Sequence, residues 1–434
     1  MTMRYVIAIC LLFLPAVTPA RDLTLTQALD LAEAHSFALK KSQAASDAAK
    51  SGVDAAKADR LPTFSASASA NYISYVPSLT IALPGLPPIS RSVGTHDNYQ
   101  TDLRLSLPLY TGGKISGGIA LADANRELSD ALLSASRDQL DYLTRVEYFT
   151  LYRSDRQLEV AKASLTRAET INKDANSLYA AGAADSVSLL DASLALTRAT
   201  FAVKQAETAR RASELRLLTY LGLEPTETVN LTDSLSLPSE DSWSTTVDST
   251  KPELKAAAAA LEITRRRYNL TRSDYFPTLA AIGGYSYGMP NLDRFNNTWN
   301  DYFTIGASLT WTFNLGGKVG MNRQTARYNM QAASYDRDQT AENLGREARL
   351  AVEQLKLANQ RYASALEEYK IASDNYRLAS AQHRDGTLTS NRLVTIEADL
   401  TSAQASLSSA LVDFHIAQSA YYYAIGSPNL RKGN

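Results

Sequence analysis

The side chains best able to ligate a metal or move a proton are four histidines, His35, His96, His383 and His415. None stands in a His-x-x-x-His spacing or beside a cysteine, so they outline no metal site. The glycine pairs Gly112-Gly113 and Gly117-Gly118 could cradle a phosphate, but neither is followed by Gly-Lys-Ser/Thr, the lysine and hydroxyl that hold a nucleotide. Carboxylates are plentiful, yet most lie among Arg and Lys on long periodic segments, as on a solvated helix face. Nothing assembles a nucleophile, a base and an orienting group. With 44 Lys and Arg against 45 Asp and Glu, the net charge of −1 provides no cationic surface for nucleic acid. The expectation is a protein that is not an enzyme and carries no cofactor.

The elements that position these residues are written twice. Gly113, Gly182 and Gly222 stand 69 and 40 positions apart, and so do Gly317, Gly386 and Gly426. Gly112-Gly113-Lys114 matches Gly316-Gly317-Lys318, and Leu61-Pro62-Thr63 matches Phe276-Pro277-Thr278. Repetition of this kind predicts two copies of one supersecondary unit. The first repeat spans 21–222, with a short helix, strands over 63–76 and 98–110, a long helix over 115–181 and a helix over 185–221. A linker over 223–250, rich in Ser, Thr, Asp and Pro, leads to the second repeat, 251–426. That repeat holds a short helix, strands over 278–288 and 301–314, a long helix over 319–385 and a helix over 389–425, before a tail over 427–434. Ahead of all this, Arg4, an apolar run from Tyr5 to Leu14 and the small-residue end Thr18-Pro19-Ala20 read as a secretory signal peptide over 1–20. Cys10, the single cysteine, lies inside it, so the exported chain is expected to have neither disulfide nor acyl anchor.

From Ile119 to Ala181 there is neither glycine nor proline, and a helix of that length far exceeds the globular norm. Leu344, Ala348, Ala351, Leu355 and Ala358, and then Leu393, Ile396, Leu400, Ala403 and Leu407, recur at alternating steps of three and four, a heptad seam. No apolar run is long enough to cross a bilayer as a helix, so entry into a membrane is expected through strands. The strand segments alternate with period two: Phe64, Ala66, Ala68, Ala70 and Tyr72 against serines, and Phe303, Ile305, Ala307, Leu309, Trp311 and Phe313 against Thr304, Ser308, Thr310 and Asn314. Their length suits a tilted transmembrane strand. Four strands leave two open edges, whose polar groups cannot be left in hydrocarbon, so several chains must complete one barrel. A half-buried sheet in a soluble domain is the bland alternative.

The duplicated order of short helix, strand pair, long helix and shorter helix, with Leu109-Tyr110-Thr111-Gly112-Gly113-Lys114 and Asn314-Leu315-Gly316-Gly317-Lys318 leaving the strands, resembles the TolC-type outer-membrane efflux proteins. The resemblance implies a mixed fold, a membrane β-barrel plus a long α-helical coiled-coil tunnel, with four strands per chain completing a twelve-stranded trimeric barrel. It implies a homotrimer in outer-membrane lipid, with its tunnel in the periplasm of a Gram-negative bacterium. A periplasmic adaptor (membrane fusion protein) and an inner-membrane transporter of RND or ABC type are the implied partners, in efflux or type I secretion. Pro62, Gly112, Gly113, Pro277, Gly316 and Gly317 are then strand–helix joints. The linker would join the equatorial region, and the loops over 76–97 and 288–300 would face the exterior. The tips that receive the adaptor match Ala181, Gly182, Ala183, Asp385, Gly386 and Thr387. Beyond them, where the family often rings the entrance with acid, Leu190-Asp191-Ala192 is matched with Ile396-Glu397-Ala398. This pairing makes the second tip two residues longer than the first. Gate candidates are Asp185, Asp191, Asp385 and Glu397, with Arg384 and Arg392 as latch partners. A coiled-coil adaptor would have a single hairpin, and a stand-alone porin many more strands in one chain. Drugs, metal ions and proteins all leave through such ducts, and no residue separates them.

Overall fold

A computed structural model of the chain describes residues 21–236, 243–313 and 315–432. The expected signal peptide, Asn314 and the end of the tail lie outside the described residues.

The chain opens with β1 (Arg21–Leu23), α1 (Leu25–His35) and α2 (Phe37–Ala58). Two leading helices stand where one is expected. Thr24 and Gln27 close a reciprocal capping box at the start of α1. Ser36 leaves helical geometry, and its hydroxyl accepts from the Leu39 N–H at 3.2 Å, starting α2 afresh. Pro62 disfavours helix at the residue before it, and β2 (Thr63–Tyr72) begins directly after it. The loop to β5 (Asp97–Tyr110) is not featureless, since β3 (Ser78–Ile81) and β4 (Ile89–Ser92) pair in it as a small hairpin. The strand expected over 63–76 therefore stops at Tyr72.

Next come α3 (Lys114–Ala180), α4 (Ser186–Leu221) and β6 (Val229–Leu231), the last inside the expected linker. The second copy runs α5 (Pro252–Leu270), a 3-10 turn over Thr271–Tyr275, β7 (Thr278–Met289), β8 (Asn300–Thr310), α6 (Lys318–Arg384) and α7 (Ser390–Ile425). Residues Trp311 to Phe313 lie beyond β8, a correction to the strand expected over 301–314. Each long helix has 67 residues, about 100 Å at 1.5 Å per residue. Each shorter one has 36. Gly345 does not interrupt α6. By length and composition α4 is apolar enough to cross a membrane, contrary to the expectation that no segment is. Its exposed apolar residues Val187, Leu190, Leu194 and Phe201 keep heptad spacing, which is the pattern of a seam for another helix.

The chain divides into two compact units. One comprises Met1–Lys41, Ser134–Lys251 and Glu342–Asn434, the other Ser42–Leu133 and Pro252–Ala341. In the first, β1 pairs in parallel with β6, Arg21 opposite Val229, so the linker is bound to the start of the described chain. Its core is partly polar. Arg145 is 1% exposed and donates to Ser419 Oγ at 3.0 Å and to the carbonyls of Leu430 and Lys432 at 3.3 and 2.7 Å. Burial brings its guanidinium down to about 10. Asp141, equally hidden, accepts from Arg431 Nε at 3.1 Å, yet burial pushes its carboxyl up to about 6. His415 stacks on Phe149 at 5.3 Å between ring centroids, and burial with the charge of Arg145 brings the imidazole down to about 4.

Candidate functional site: an open sheet and two helical tips

The second unit contains, besides the small β3–β4 hairpin, a four-stranded antiparallel sheet in the order β2-β5-β7-β8. Residues opposite one another in such a ladder share a face. The rows Phe64–Leu105–Gly283–Ile305 and Ala66–Leu103–Tyr285–Phe303 make one face apolar. The alternating rows Ser65–Arg104–Gly284–Thr304 and Ser67–Asp102–Ser286–Tyr302 make the other polar. These four rows keep their character across the four strands, so the period-two pattern of each segment becomes a two-faced wall, with Asp301 in the apolar series and Ile282 in the polar one as departures. The apolar face has no cover: Phe64 is 65% exposed, Phe303 75% and Ile305 85%. Among the described residues no further strand pairs with β2 or β8, the two edges. Large exposed apolar area beside two open edges is not a stable arrangement in water.

The joints behave unequally. Gly112 and Gly113 both have positive φ, +62° and +88°. A Cβ on Gly112 would meet Phe276 Cβ at 2.6 Å and the Ser273 carbonyl at 3.0 Å, so glycine is required twice over, by conformation and by space. In the second copy Gly317 is left-handed, at +69°, and the space around it is open. Pro62 and Pro277 each stand one residue before a strand.

At the tips both hairpins turn in the same way. Gly182 is left-handed, with the Ala183 N–H returning to the Leu178 carbonyl at 2.8 Å. Gly386 is left-handed, with the Thr387 N–H returning to Gln382 at 3.0 Å. These are Schellman ends, which satisfy the last carbonyls of α3 and α6. Five residues separate the helices at each tip, 181–185 and 385–389. The two extra residues inferred for the second tip are therefore absent. The error lies in matching Asp191 with Glu397; at equal distance from the tip glycine, Asp191 corresponds to Thr395. Ala192 and Ile396 are the true equivalents, and both are buried in one cluster with Ile171, Ala175, Ala379 and Leu393. That cluster ties the tips of α3, α4, α6 and α7 together.

The gate candidates are not gathered into one group within a chain. Asp185 is the N-cap of α4, its carboxylate accepting from the Ser188 N–H at 2.8 Å, and hydrogen bonding from the Ser188 side chain first and its backbone second holds its pKa below the usual carboxylate range. Asp191 is half-buried and Asp385 exposed. Arg384 and Arg392 are exposed and form no ion pair with these acids among the described residues. Glu397 is 8% exposed and committed elsewhere: Arg167 Nε reaches its Oε1 at 3.1 Å, Ser164 Oγ at 2.9 Å and Thr401 Oγ1 at 2.7 Å. Arg167 also donates to Thr401 and Gln404. This knot between α3 and α7 went unforeseen. Its only sequence signal is a carboxylate immediately after the seam residue Ile396. His383, also buried, holds the second tip by a 2.8 Å bond between Nδ1 and the Leu388 carbonyl.

Residues 28–223 and 244–427 match the model of a family described as outer membrane efflux protein. No curated protein matches the chain. Among solved structures, the CmeC outer membrane channel of Campylobacter jejuni is similar with a TM-score of 0.76 and 17% identity, over 93% of this chain and 85% of that one. The outer membrane protein VceC of Vibrio cholerae has the same TM-score and identity, over 93% and 96%. The open state of the MtrE channel of Neisseria gonorrhoeae gives 0.74 and 17%, over 93% and 89%. At such identities the likeness is one of fold.

Proposed function

Because this chain belongs to the outer membrane efflux protein family, whose members are channels and not enzymes, we propose that three copies of it close one twelve-stranded barrel. The observation that carries this is the uncovered four-stranded sheet with two open edges. Roughly half the polar groups of a ten- or eleven-residue edge point away from the sheet. Left unpaired in hydrocarbon, they would cost on the order of 20 kcal/mol per edge. Pairing β8 of one copy with β2 of the next removes that cost, and because the two edges differ the contact is head-to-tail and closes into a ring.

The helices repeat this logic. On α4, Val187, Leu194, Phe201 and Leu215 are exposed at multiples of seven; on α6, Leu350, Leu357, Ile371 and Leu378 are too. Each stripe is half of a coiled-coil seam without its other half. The α4 stripe belongs to the first repeat, like β2, and the α6 stripe to the second, like β8. The two stripes differ, as the two sheet edges do, so they too would pair head-to-tail between copies, and the helices enclose a periplasmic tunnel.

The tips, Ala181-Gly182-Ala183 and Asp385-Gly386-Thr387, are the surface proposed for a periplasmic adaptor, with an inner-membrane pump of RND or ABC type behind it. Asp185, Asp191 and Asp385 are the carboxylates proposed to ring the entrance, with Arg384 and Arg392 as partners across chains, while Glu397 holds the tip in shape through Arg167. In a planar bilayer, Asp191→Ala should raise single-channel conductance and weaken cation preference. Unchanged values in both would end the acidic ring and leave the barrel standing, since the barrel is tested by crosslinking the detergent-extracted protein. A monomer there would reject it.

A further inference from the structure

The foot of the sheet holds a cavity of about 550 Å³ lined by Tyr110, Gly112, Gly113, Arg266, Arg272 and Phe276, among others. Its volume lies within the range of small-ligand sites. Glycine makes its floor: a Cβ on Gly112 would stand 2.6 Å from Phe276 Cβ, so the turn before α3 comes up against the segment joining α5 to β7 only without a side chain there, and a Cβ on Gly117 would push aside the tip of Leu270 at 2.8 Å.

Three observations say what the cavity faces. It lies below β5 and β7, the central strands, so closing the ring through β2 and β8 leaves it uncovered. A bulge between Pro108 and Tyr110 brings Tyr110 opposite Leu279, in the row that continues the apolar, lipid-side face. Tyr110, Tyr275, Phe276, Trp311 and Phe313, all at this end of the sheet, are each 45% or more exposed, which is the composition of an aromatic girdle at a membrane interface. Just beyond this girdle, where headgroups lie, stand the guanidinium groups. Arg266 shares Glu262 with Arg265, at 2.6 and 3.7 Å. Arg272 is exposed and has no carboxylate partner among the described residues. Asn269 adds an amide to the same wall.

We propose that this cavity binds the phosphate headgroup of an anionic phospholipid from the periplasmic leaflet, Arg272 and Arg266 on the phosphate and the aromatic side chains against the glycerol and first methylenes. Arginine matches phosphate bidentately, and basic residues beside a membrane surface attract anionic lipid. The site rests on the barrel reading, because only a membrane at the apolar face puts headgroups here.

Purified full-length protein, reconstituted in nanodiscs of phosphatidylethanolamine with or without phosphatidylglycerol, is released into the mass spectrometer and the lipids kept by each assembly are counted. Wild type should keep phosphatidylglycerol in preference to phosphatidylethanolamine. Arg272→Gln should weaken retention about fivefold and the Arg266→Gln, Arg272→Gln pair about thirtyfold, with Arg272→Lys between wild type and Arg272→Gln because it keeps the charge but not the fork. Inorganic phosphate should not displace the lipid. Equal retention by wild type and Arg272→Gln overturns the proposal, as does displacement by phosphate, the mark of a soluble-anion site. Arg272 holds no carboxylate, so its substitution spares the fold even if the double variant fails to assemble. A wild-type trimer that stays intact but shows no preference for phosphatidylglycerol refutes this site alone; a wild type that never assembles defeats the barrel and the site with it.

Discussion

Replacing Glu397 by alanine should loosen the helical tips without acting as the loss of a channel-lining charge. The carboxylate is 8% exposed and holds Arg167, Ser164 and Thr401 through one oxygen. Removing one member of a buried pair costs about 3–5 kcal/mol, because the other is left as an uncompensated charge. Here Arg167 keeps Thr401 and Gln404 and its side chain is 16% exposed, which reduces the expected loss to about 2–3 kcal/mol. At 1.4 kcal/mol per tenfold, local opening becomes roughly 30- to 150-fold more frequent. Hydrogen exchange on the assembled protein reads this directly: amides over 164–171 and 393–401 should exchange faster by that factor, while those of β5 and β7 keep their protection. Arg167→Met with Glu397→Leu should restore most of the protection, since an apolar pair of similar volume removes both charges. Unchanged exchange at the tips, together with a shift in conductance, would refute the reasoning and return Glu397 to the channel wall.

The pH dependence of stability should hide two opposed titrations. Asp141, raised to about 6, binds its proton more tightly when folded, so it makes stability fall as pH rises from about 4 to 6. His415, lowered to about 4, makes stability rise with pH from about 4 to 6.5. Each is worth about 3 kcal/mol across its window. Wild type should therefore be nearly flat between pH 4 and 6 as far as this pair is concerned. Asp141→Asn should lose stability on acidification and His415→Gln should gain it, in denaturant midpoints read across that range; parallel curves for all three proteins would contradict the assignment. Gly112→Ala should impair folding far more than Gly317→Ala. The left-handed conformation costs alanine about 1–2 kcal/mol at either site, and only at position 112 is a contact of 2.6 Å added. Trimer yield and its dissociation temperature measure both, and equal effects would mean that the space at Gly112 is not limiting.

What could be read from the chain was whatever local chemistry writes down. The 69- and 40-residue spacings are visible because each of those glycines sits at a chain reversal, left-handed at Gly113, Gly182 and Gly222 and again at Gly317, Gly386 and Gly426. The two-faced sheet is visible because alternation along one strand survives pairing with the next. What escaped depends on contacts distant in sequence. Glu397 looks like a surface acid until Arg167, 230 positions away, is laid beside it. The likeness of Leu-Asp-Ala to Ile-Glu-Ala suggested an insertion, although glycine spacing, which geometry enforces, already excluded one. β1 and β6 have three residues each, too few for any pattern, and a bulge such as the one that turns Tyr110 outward leaves no mark in composition. Asp185, Asp191 and Asp385 form no ion pair within one chain among the described residues, and in the proposed ring their surroundings would come from neighbouring copies.

Pairing of β8 with β2 of a neighbouring copy is tested most directly by cysteine crosslinking. Ala68→Cys on β2 is combined in one chain with single cysteines scanned over 302–308 on β8, in the membrane and under mild oxidation; Cys10 is the chain's own single cysteine, replaced by serine throughout. The account predicts that a narrow register of double-cysteine chains gives a covalent species of three chains and nothing larger. Chains carrying only one of the two cysteines should stay unlinked. Efficient dimers from Ala68→Cys alone, or a protein that remains monomeric at every position scanned, would contradict it.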